Sequence, residues 1–305
     1  MGAGHGHAAG QASGHAGGRH RWRLATTFAL VAGFFLVELG YGLVSGSLAL
    51  LSDAGHMATD VVALGAALVA TRIAVRADTT GRRTYGSYRA EVFASGLAVL
   101  LMVGVAVYVV VEALARIGEP VVVQTGPMLV VGALGLIVNV VGIWLLRGGA
   151  AESLNVKGAY LEVVADTAGS VGVILAGLLV MLSGSAVWDT LVALAIGAFV
   201  AVRAVMLGRE VLAVLGQHVP AGMQIDRVSA DLEAIDGVED VHDLHVWTLT
   251  SGMHVATAHL VACDAATGQA VLGRARLVLH DQHGIAHATL QVETGRDRGC
   301  HELDW

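Results

Sequence analysis

The sequence predicts an α-helical membrane protein with six transmembrane helices, followed by a small α+β domain. Of its 305 residues, 55% are hydrophobic and 14% are charged, and its mean hydropathy is +0.68. This balance is typical of a polytopic membrane protein and not of a large soluble enzyme. Residues 1–217 contain 13 basic and 12 acidic residues, whereas residues 218–305 contain 5 and 13. An acidic tail disfavours nucleic acid as a partner, because binding nucleic acid requires a cationic surface.

Six apolar segments are each long enough to cross a bilayer as a helix. In order along the chain they are about 24–44, 48–71, 91–115, 126–146, 159–182 and 187–207. The loop between the second and third segments contains five arginines, the first and fifth loops contain none, and Arg203 and Arg209 lie at and just beyond the end of the sixth segment. Since positively charged connections stay cytoplasmic, both termini are predicted to face the cytoplasm, in an inner or plasma membrane. Arginine supplies 17 of the 18 basic residues, which favours a bacterial source.

The composition changes after the last apolar segment. A helix after Pro220, two strands near 241–249 and 254–262, a second helix and a last strand predict an α+β domain ordered α-β-β-α-β. We therefore expect a flexible His-rich tail, a six-span domain, a linker, a cytoplasmic domain and a C-terminal tail. Their predicted boundaries are 1–21, 22–208, 209–217, 218–295 and 296–305.

Two short polar interruptions break otherwise apolar spans. His56 and Asp60 lie on the second span, and Glu162 and Asp166 lie on the fifth. Residues four apart leave the same helix face about 5–6 Å from each other, and an ionisable side chain at a bilayer centre costs roughly 2.5–3.5 kcal/mol. Protonated carboxylates that hydrogen-bond between helices are one alternative. Two matched pairs, with no Lys or Arg near the centre of either span, favour a four-ligand site for a divalent cation.

The ligand types indicate the cation. One imidazole nitrogen and three carboxylate oxygens suit Zn²⁺, with Co²⁺, Cd²⁺ or Mn²⁺ as alternatives, and Mg²⁺ is disfavoured because it prefers all-oxygen sites. Metal ligands must lose protons to bind, so loading and protonation oppose each other. We therefore predict a secondary-active exporter that exchanges metal for protons. A phosphate-binding loop ending in Lys-Ser or Lys-Thr is absent, so nothing supports ATP-driven pumping.

Two other classes of protein remain as alternatives. A membrane metalloenzyme would require a motif such as His-Glu-x-x-His, and neither ligand pair has that form. A metal sensor, or a channel without coupled exchange, would use the acidic domain as its main metal-binding part.

At these residues the sequence resembles the cation diffusion facilitator family, specifically its zinc/cobalt/cadmium efflux branch. The matching stretches are Ser47–Asp60, Glu152–Glu162, Gly169–Val173 and His242–Gly252. The resemblance implies a homodimer of six-span protomers, with a transport site on His56, Asp60, position 162 and Asp166. It also implies a cytoplasmic domain with a ferredoxin-like, metallochaperone-like fold. Many zinc members carry His at position 162; the harder Glu162 of this chain predicts broader use of Co²⁺, Cd²⁺ or Mn²⁺.

The resemblance also implies a second metal site in the cytoplasmic domain. His242 and His259 match positions that bind metal in some members. Glu293 is a candidate from chemistry alone, and the strand face that it would share with His287 makes it reachable. Surface histidines on a small acidic domain are also common without metal. Further candidates from chemistry alone are His245, His254, His287, Cys300 and His301. We expect Zn²⁺ as both transported and regulatory ion, with no organic cofactor.

Three polar side chains within the apolar segments, and one cysteine in the C-terminal domain, also have predicted roles. Glu38 and Asn139 are expected to hydrogen-bond between helices or to line a water-filled path to the site. Asp53, one turn before His56, is expected to support that ligand or to lie on the same path. Cys263 is expected to be a buried core thiol.

Overall fold

The computed structural model describes residues 21–74, 82–117, 119, 121–148, 154–250, 252–264 and 266–294, with side chains at all of these except 21–24, 63–74 and 154–159. Six long helices come first in the chain. They are α1 Arg21–Ser45, α2 Leu48–Ala74, α3 Ala90–Ala115, α4 Thr125–Leu146, α5 Leu154–Ser183 and α6 Val187–Leu215. The described residues divide into two compact units, one within residues up to 65 and 97–206, the other within 66–96 and from 207 onward.

Five of these helices have the length and apolar composition to cross a membrane, namely α1, α3, α4, α5 and α6. Helix α2 has 27 residues, about 40 Å at 1.5 Å per residue, which exceeds the roughly 30 Å of a hydrocarbon core. Large apolar side chains such as Leu43, Leu100 and Leu182 are well exposed on the helix surfaces. In lipid such surfaces need no polar covering. Five predicted spans therefore coincide with helices that could cross a membrane, and the second coincides with α2, which is long enough to do so.

Helix α6 is longer than the sixth predicted span, because it continues from about residue 207 to Leu215. The added residues, which cover most of the expected linker 209–217, favour a helix and contain no Gly or Pro between Arg209 and Leu215. The helix ends at Leu215 and is followed by Gly216. There Gln217 has a left-handed φ of 56°, and the His218 N–H donates to the Ala213 carbonyl, as in a Schellman motif.

The start of α2 is held by a carboxylate from α6. Asp189 is fully buried; its Oδ2 accepts from the Leu48 N–H at 2.7 Å, and its Oδ1 accepts from the Ser47 hydroxyl at 2.6 Å and the Ala49 N–H at 3.2 Å. The Arg116 guanidinium lies 3.4 Å from Asp189 Oδ2. A carboxylate at a helix N-terminus satisfies free N–H groups and complements the helix dipole. This contact fixes the helix that carries His56 and Asp60 against α6.

The C-terminal domain has the predicted order of elements. It consists of α7 Ile225–Glu233, β1 Val238–Thr250, β2 Met253–Ala262, α8 Gly268–His283 and β3 His287–Thr294. The sheet order is β1-β2-β3, with β1 and β2 antiparallel and β2 and β3 parallel. Side chains of α7 and α8, among them Leu232 and Leu279, are buried against one face of this sheet, so the α+β prediction is confirmed.

The expectation that Cys263 is a buried core thiol is wrong. Strand β2 ends at Ala262, and Cys263 is exposed just beyond it. Desolvation and the neighbouring Glu239 carboxylate raise the pKa of the Cys263 thiol above its usual value. This disfavours the thiolate that would be needed to bind a metal.

Candidate metal sites

A cluster of metal-type ligands lies where α2 packs against α5. The Nε2 atom of His56 is 3.7 Å from Asp60 Oδ2 and 3.4 Å from Asp166 Oδ1, and one donor atom of each residue lies within 4.8 Å of the others. The close approach of the helices depends on Gly169, because a Cβ there would lie 2.5 Å from Asp53 Oδ1. Helical spacing places each pair on one face, and this packing brings the two faces together.

The donor atoms of this cluster are buried and incompletely satisfied. His56 is 3% exposed and Asp166 is 5% exposed. Among the described residues, His56 Nδ1 has no hydrogen-bond partner, and Asp60 Oδ2 and Asp166 Oδ1 make longer contacts of 3.4–3.8 Å with nitrogens of His56 and Arg203. A buried polar atom without a partner costs about 1–3 kcal/mol. Two carboxylates and an imidazole in this condition have the donor set and the need for charge compensation that fit a divalent cation.

The fourth predicted ligand, Glu162, lies beside the cluster but binds an arginine. The Nη2 of Arg203, on α6, donates to Glu162 Oε1. The Nη1 of the same guanidinium is 3.4 Å from His56 Nε2 and 3.8 Å from Asp60 Oδ2. The structure therefore brings three of the four predicted ligands together and joins the fourth to them through Arg203.

The expectation that these carboxylates lack a basic neighbour is therefore wrong. The second and fifth spans contain no basic residue near their centres, but Arg203 comes from a third helix, α6. Arg203 reaches the cluster because α6 packs beside α2. The rings of Phe199 and His56 are in edge-to-face contact there, with their centroids 5.7 Å apart. A hydropathy pattern shows where α6 runs in the sequence but not which helices it contacts.

The supporting polar residues are also buried. Glu38 on α1 and Asp53 on α2 are 1% and 2% exposed, and their carboxyl groups lie next to each other. Asn139 on α4 donates from Nδ2 to Ser170 Oγ on α5 at 3.2 Å, which is a hydrogen bond between two helices. Ser170 follows Gly169, so this bond holds α4 at the contact between α5 and α2.

A second cluster lies on the sheet of the C-terminal domain. His242 on β1 pairs with His259 on β2, and Glu293 on β3 pairs with Val261, two residues further along β2 on the same face. Glu293 Oε1 is 3.0 Å from His259 Nδ1, and Glu293 Oε2 is 3.7 Å from His242 Nε2. One donor atom from each residue lies within 4.8 Å of the others. The predicted second set of ligands is therefore assembled by the strand register.

Asp243 is a further neighbour of this cluster and was not predicted from the sequence. Its φ is 52°, and the β1–β2 register shifts between His242 and His245. This bulge turns the Asp243 carboxylate to within 2.8 Å of His245 Nε2 and 3.9 Å of His259 Nε2. Asp is among the few residue types enriched at positive φ, but nothing in the sequence marks the position of the bulge.

The remaining candidate histidines lie apart from this cluster. The His254 ring is next to the Thr248 hydroxyl at 3.3 Å, and the His287 ring packs edge-to-face on Tyr85. Cys300 and His301 lie outside the described residues.

Membrane-spanning helices around a buried carboxylate–imidazole cluster, joined to an α+β domain with a second such cluster, define a transporter of metal cations. The chain belongs to the cation efflux family. The family profile described as the cation efflux transmembrane domain matches residues 24–215, and the profile of the cation efflux protein cytoplasmic domain matches residues 220–295. This confirms the resemblance to the cation diffusion facilitator family and establishes the protein as a multi-pass transporter and not an enzyme.

Named relatives agree with this assignment. The metal cation efflux system protein CzcD of Cupriavidus metallidurans is 42% identical over 305 residues, which cover 100% of this chain and 93% of that protein. The cadmium, cobalt and zinc/H(+)-K(+) antiporter of Bacillus velezensis is 32% identical and covers 92% of this chain and 90% of that protein. A solved metal-bound C-terminal domain of the CzcD transporter is 37% identical, covering 23% of this chain and 99% of that one, with a TM-score of 0.22.

Proposed function

We propose that this protein exports Zn²⁺, together with Co²⁺ and Cd²⁺, from the cytoplasm in exchange for protons. The observation that carries the proposal is the buried cluster of His56, Asp60 and Asp166, whose donor atoms lie within 4.8 Å of one another. One imidazole and two carboxylates are ligands that Zn²⁺ accepts in tetrahedral sites, with a position left for Glu162 or water. The Bacillus velezensis relative is named for the same three metals.

Proton exchange follows from the chemistry of the ligands. His and Asp bind metal only in their unprotonated forms, so protons and metal compete for the same atoms. A site loaded on one side of the membrane and protonated on the other moves the two kinds of ion in opposite directions. Mn²⁺, or a broad range of divalent ions, is the alternative cargo, since oxygen ligands outnumber the single nitrogen.

The finer arrangement in the cell is part of the proposal. We place both termini in the cytoplasm, because the arginine-rich connections lie on that side of the predicted topology. We assign the cluster of His242, His259 and Glu293 to a regulatory Zn²⁺ site within the predicted cytoplasmic domain at 218–295. The transporter is proposed to work as a homodimer in a bacterial inner membrane.

Proteoliposomes test the exchange directly. Zn²⁺ entry would be followed with a zinc-sensitive dye while a second dye reports internal pH, with and without an imposed proton gradient. We expect flux that depends on the gradient and is abolished by Asp60→Ala. Glu210→Gln, which alters an exposed carboxylate on α6, is the matched control and should transport normally. Zinc flux that ignores the gradient would indicate a channel, and zinc binding without flux would indicate a sensor.

A further inference from the structure

The strongest unassigned feature of the molecule is the position of Arg203. Its guanidinium binds Glu162 and lies within 4 Å of both His56 and Asp60, so it contacts three of the four predicted ligands. Its side chain is only 26% exposed. An arginine placed among metal ligands in a membrane domain opposes cation binding, because like charges at this distance repel strongly in a partly desolvated site.

Phe199 and Glu162 hold the Arg203 guanidinium in a fixed place. Phe199, one helical turn earlier on α6, lies under the guanidinium with the Arg203 carbon Cζ 5.9 Å from the ring centroid. The same ring packs edge-to-face on His56. A cation above an aromatic face gains stabilisation, and the planar fork of arginine suits a carboxylate such as Glu162. One aromatic side chain therefore positions both a metal ligand and the competing cation.

The net charge of the site, with Arg203 included, matches the charge of one divalent cation. With Asp60, Glu162 and Asp166 ionised, the carboxylates carry three negative charges, and Arg203 leaves a net charge of minus two. A divalent ion neutralises this remainder. Without Arg203, the site would keep one surplus negative charge when a divalent ion is bound. This surplus favours tight binding and slow release of the metal ion.

We propose that Arg203 is a built-in competitor for the transported metal, which occupies Glu162 and must release it before Glu162 can become the fourth ligand. This rests on the proposed transport site. Arg203 then sets the affinity of the site low enough for release, and the Glu162–Arg203 pair re-forms when the metal leaves. Glu162 alternates between two partners, which gives its position a role beyond the choice of metal.

The test measures Zn²⁺ affinity and transport in the full-length protein. The background carries His242→Ala and His259→Ala, so that the second cluster does not contribute, and Asp60→Ala defines binding that does not involve the transport site. For Arg203→Met we expect a dissociation constant lower by about tenfold or more, together with slower turnover at saturating zinc. Arg203→Lys keeps the charge and should stay near the wild-type affinity. Arg209→Met, which removes an exposed arginine further along α6, should change neither quantity.

A double-mutant cycle with Glu162→Gln separates competition from a purely structural ion pair. Competition for Glu162 predicts that Arg203→Met tightens binding much less when position 162 is Gln. Unchanged or weaker binding by Arg203→Met, with Asp60→Ala still abolishing binding, would overturn the inference and leave the transport site intact. Binding that survives Asp60→Ala would overturn the transport site itself. If Arg203→Met does not fold, Arg203→Gln enters the same cycle and the same outcomes decide.

Discussion

The buried carboxylate of Asp189 offers the sharpest test of how α2, the helix that carries His56 and Asp60, is held in place. Asp189→Asn preserves the shape of the side chain but removes its charge and turns one acceptor oxygen into a donor. The Leu48 N–H, the Ala49 N–H and the Ser47 hydroxyl all donate to this carboxylate. The amide can accept on one side only, so at least one of these donors loses its partner.

The magnitude follows from the contacts that are lost. Loss of a helix cap costs about 1 kcal/mol, and removal of one partner from a buried ion pair costs about 3–5 kcal/mol. Arg116 keeps the Glu112 carboxylate at 3.2 Å and the Gly46 carbonyl at 3.0 Å, so its loss is smaller than that range. We expect a total destabilisation of about 3 kcal/mol, or a fall of about 6–12 °C in melting temperature at about 2–4 °C per kcal/mol.

The measurement is thermal and denaturant unfolding of the purified protein in detergent, followed by zinc flux in proteoliposomes. Asp226→Asn is the matched control, because Asp226 is an exposed acid in the first turn of α7 and its loss should cost only about 0.3–1 kcal/mol. A double variant with Arg116→Met should be less destabilised than the two single changes added together. If Asp189→Asn were as stable as Asp226→Asn, the cap would not be what holds α2.

Three further substitutions test other parts of the structure. Gly169→Ala would place a methyl group 2.5 Å from a carboxylate oxygen of α2, so thermal unfolding should show that the protein loses about 1–3 kcal/mol of stability. The control Gly104→Ala, whose methyl group meets nothing within 4 Å, should not destabilise the protein. His242→Ala should remove one bound Zn²⁺ per chain in equilibrium dialysis, whereas His280→Ala, at an exposed side chain on α8, should retain it; equal stoichiometry would remove the cytoplasmic site. Glu162→His should sharpen the preference for Zn²⁺ over Mn²⁺ in competition transport assays, and unchanged relative rates would show that this position does not select the metal.

The fold was largely predictable because its signals are local. Apolar runs of about twenty residues locate membrane helices whatever their neighbours are, and alternation with turn residues locates the strands of the small domain. The end of α6 was missed because hydropathy detects the membrane boundary, whereas the helix continues through polar residues such as Arg209 and Glu210 to Leu215, shortly before the left-handed backbone of Gln217.

The transport site was predictable to the extent that helix geometry determines it. His56 with Asp60 is a pair on one helix face, and so is Glu162 with Asp166, and both pairs follow from spacing alone. Contacts across helices do not. Arg203 on α6 contacts ligands on α2 and α5, and Asp189 caps α2 from 141 residues away in sequence. Such partners depend on the packing arrangement, which a single sequence does not reveal.

Position 162 shows how this distinction changes the chemistry. From sequence, Glu162 is a hard oxygen ligand that broadens the choice of metal, and its replacement by His is expected to act through ligand type alone. In the structure the same carboxylate neutralises Arg203. A histidine there would be a better ligand for Zn²⁺ but a poor partner for a guanidinium, so Arg203 would be left with Asp60, 3.8 Å away. Glu162→His is therefore expected to alter selectivity and affinity together, and combining it with Arg203→Met should separate the change in ligand type from the released cation.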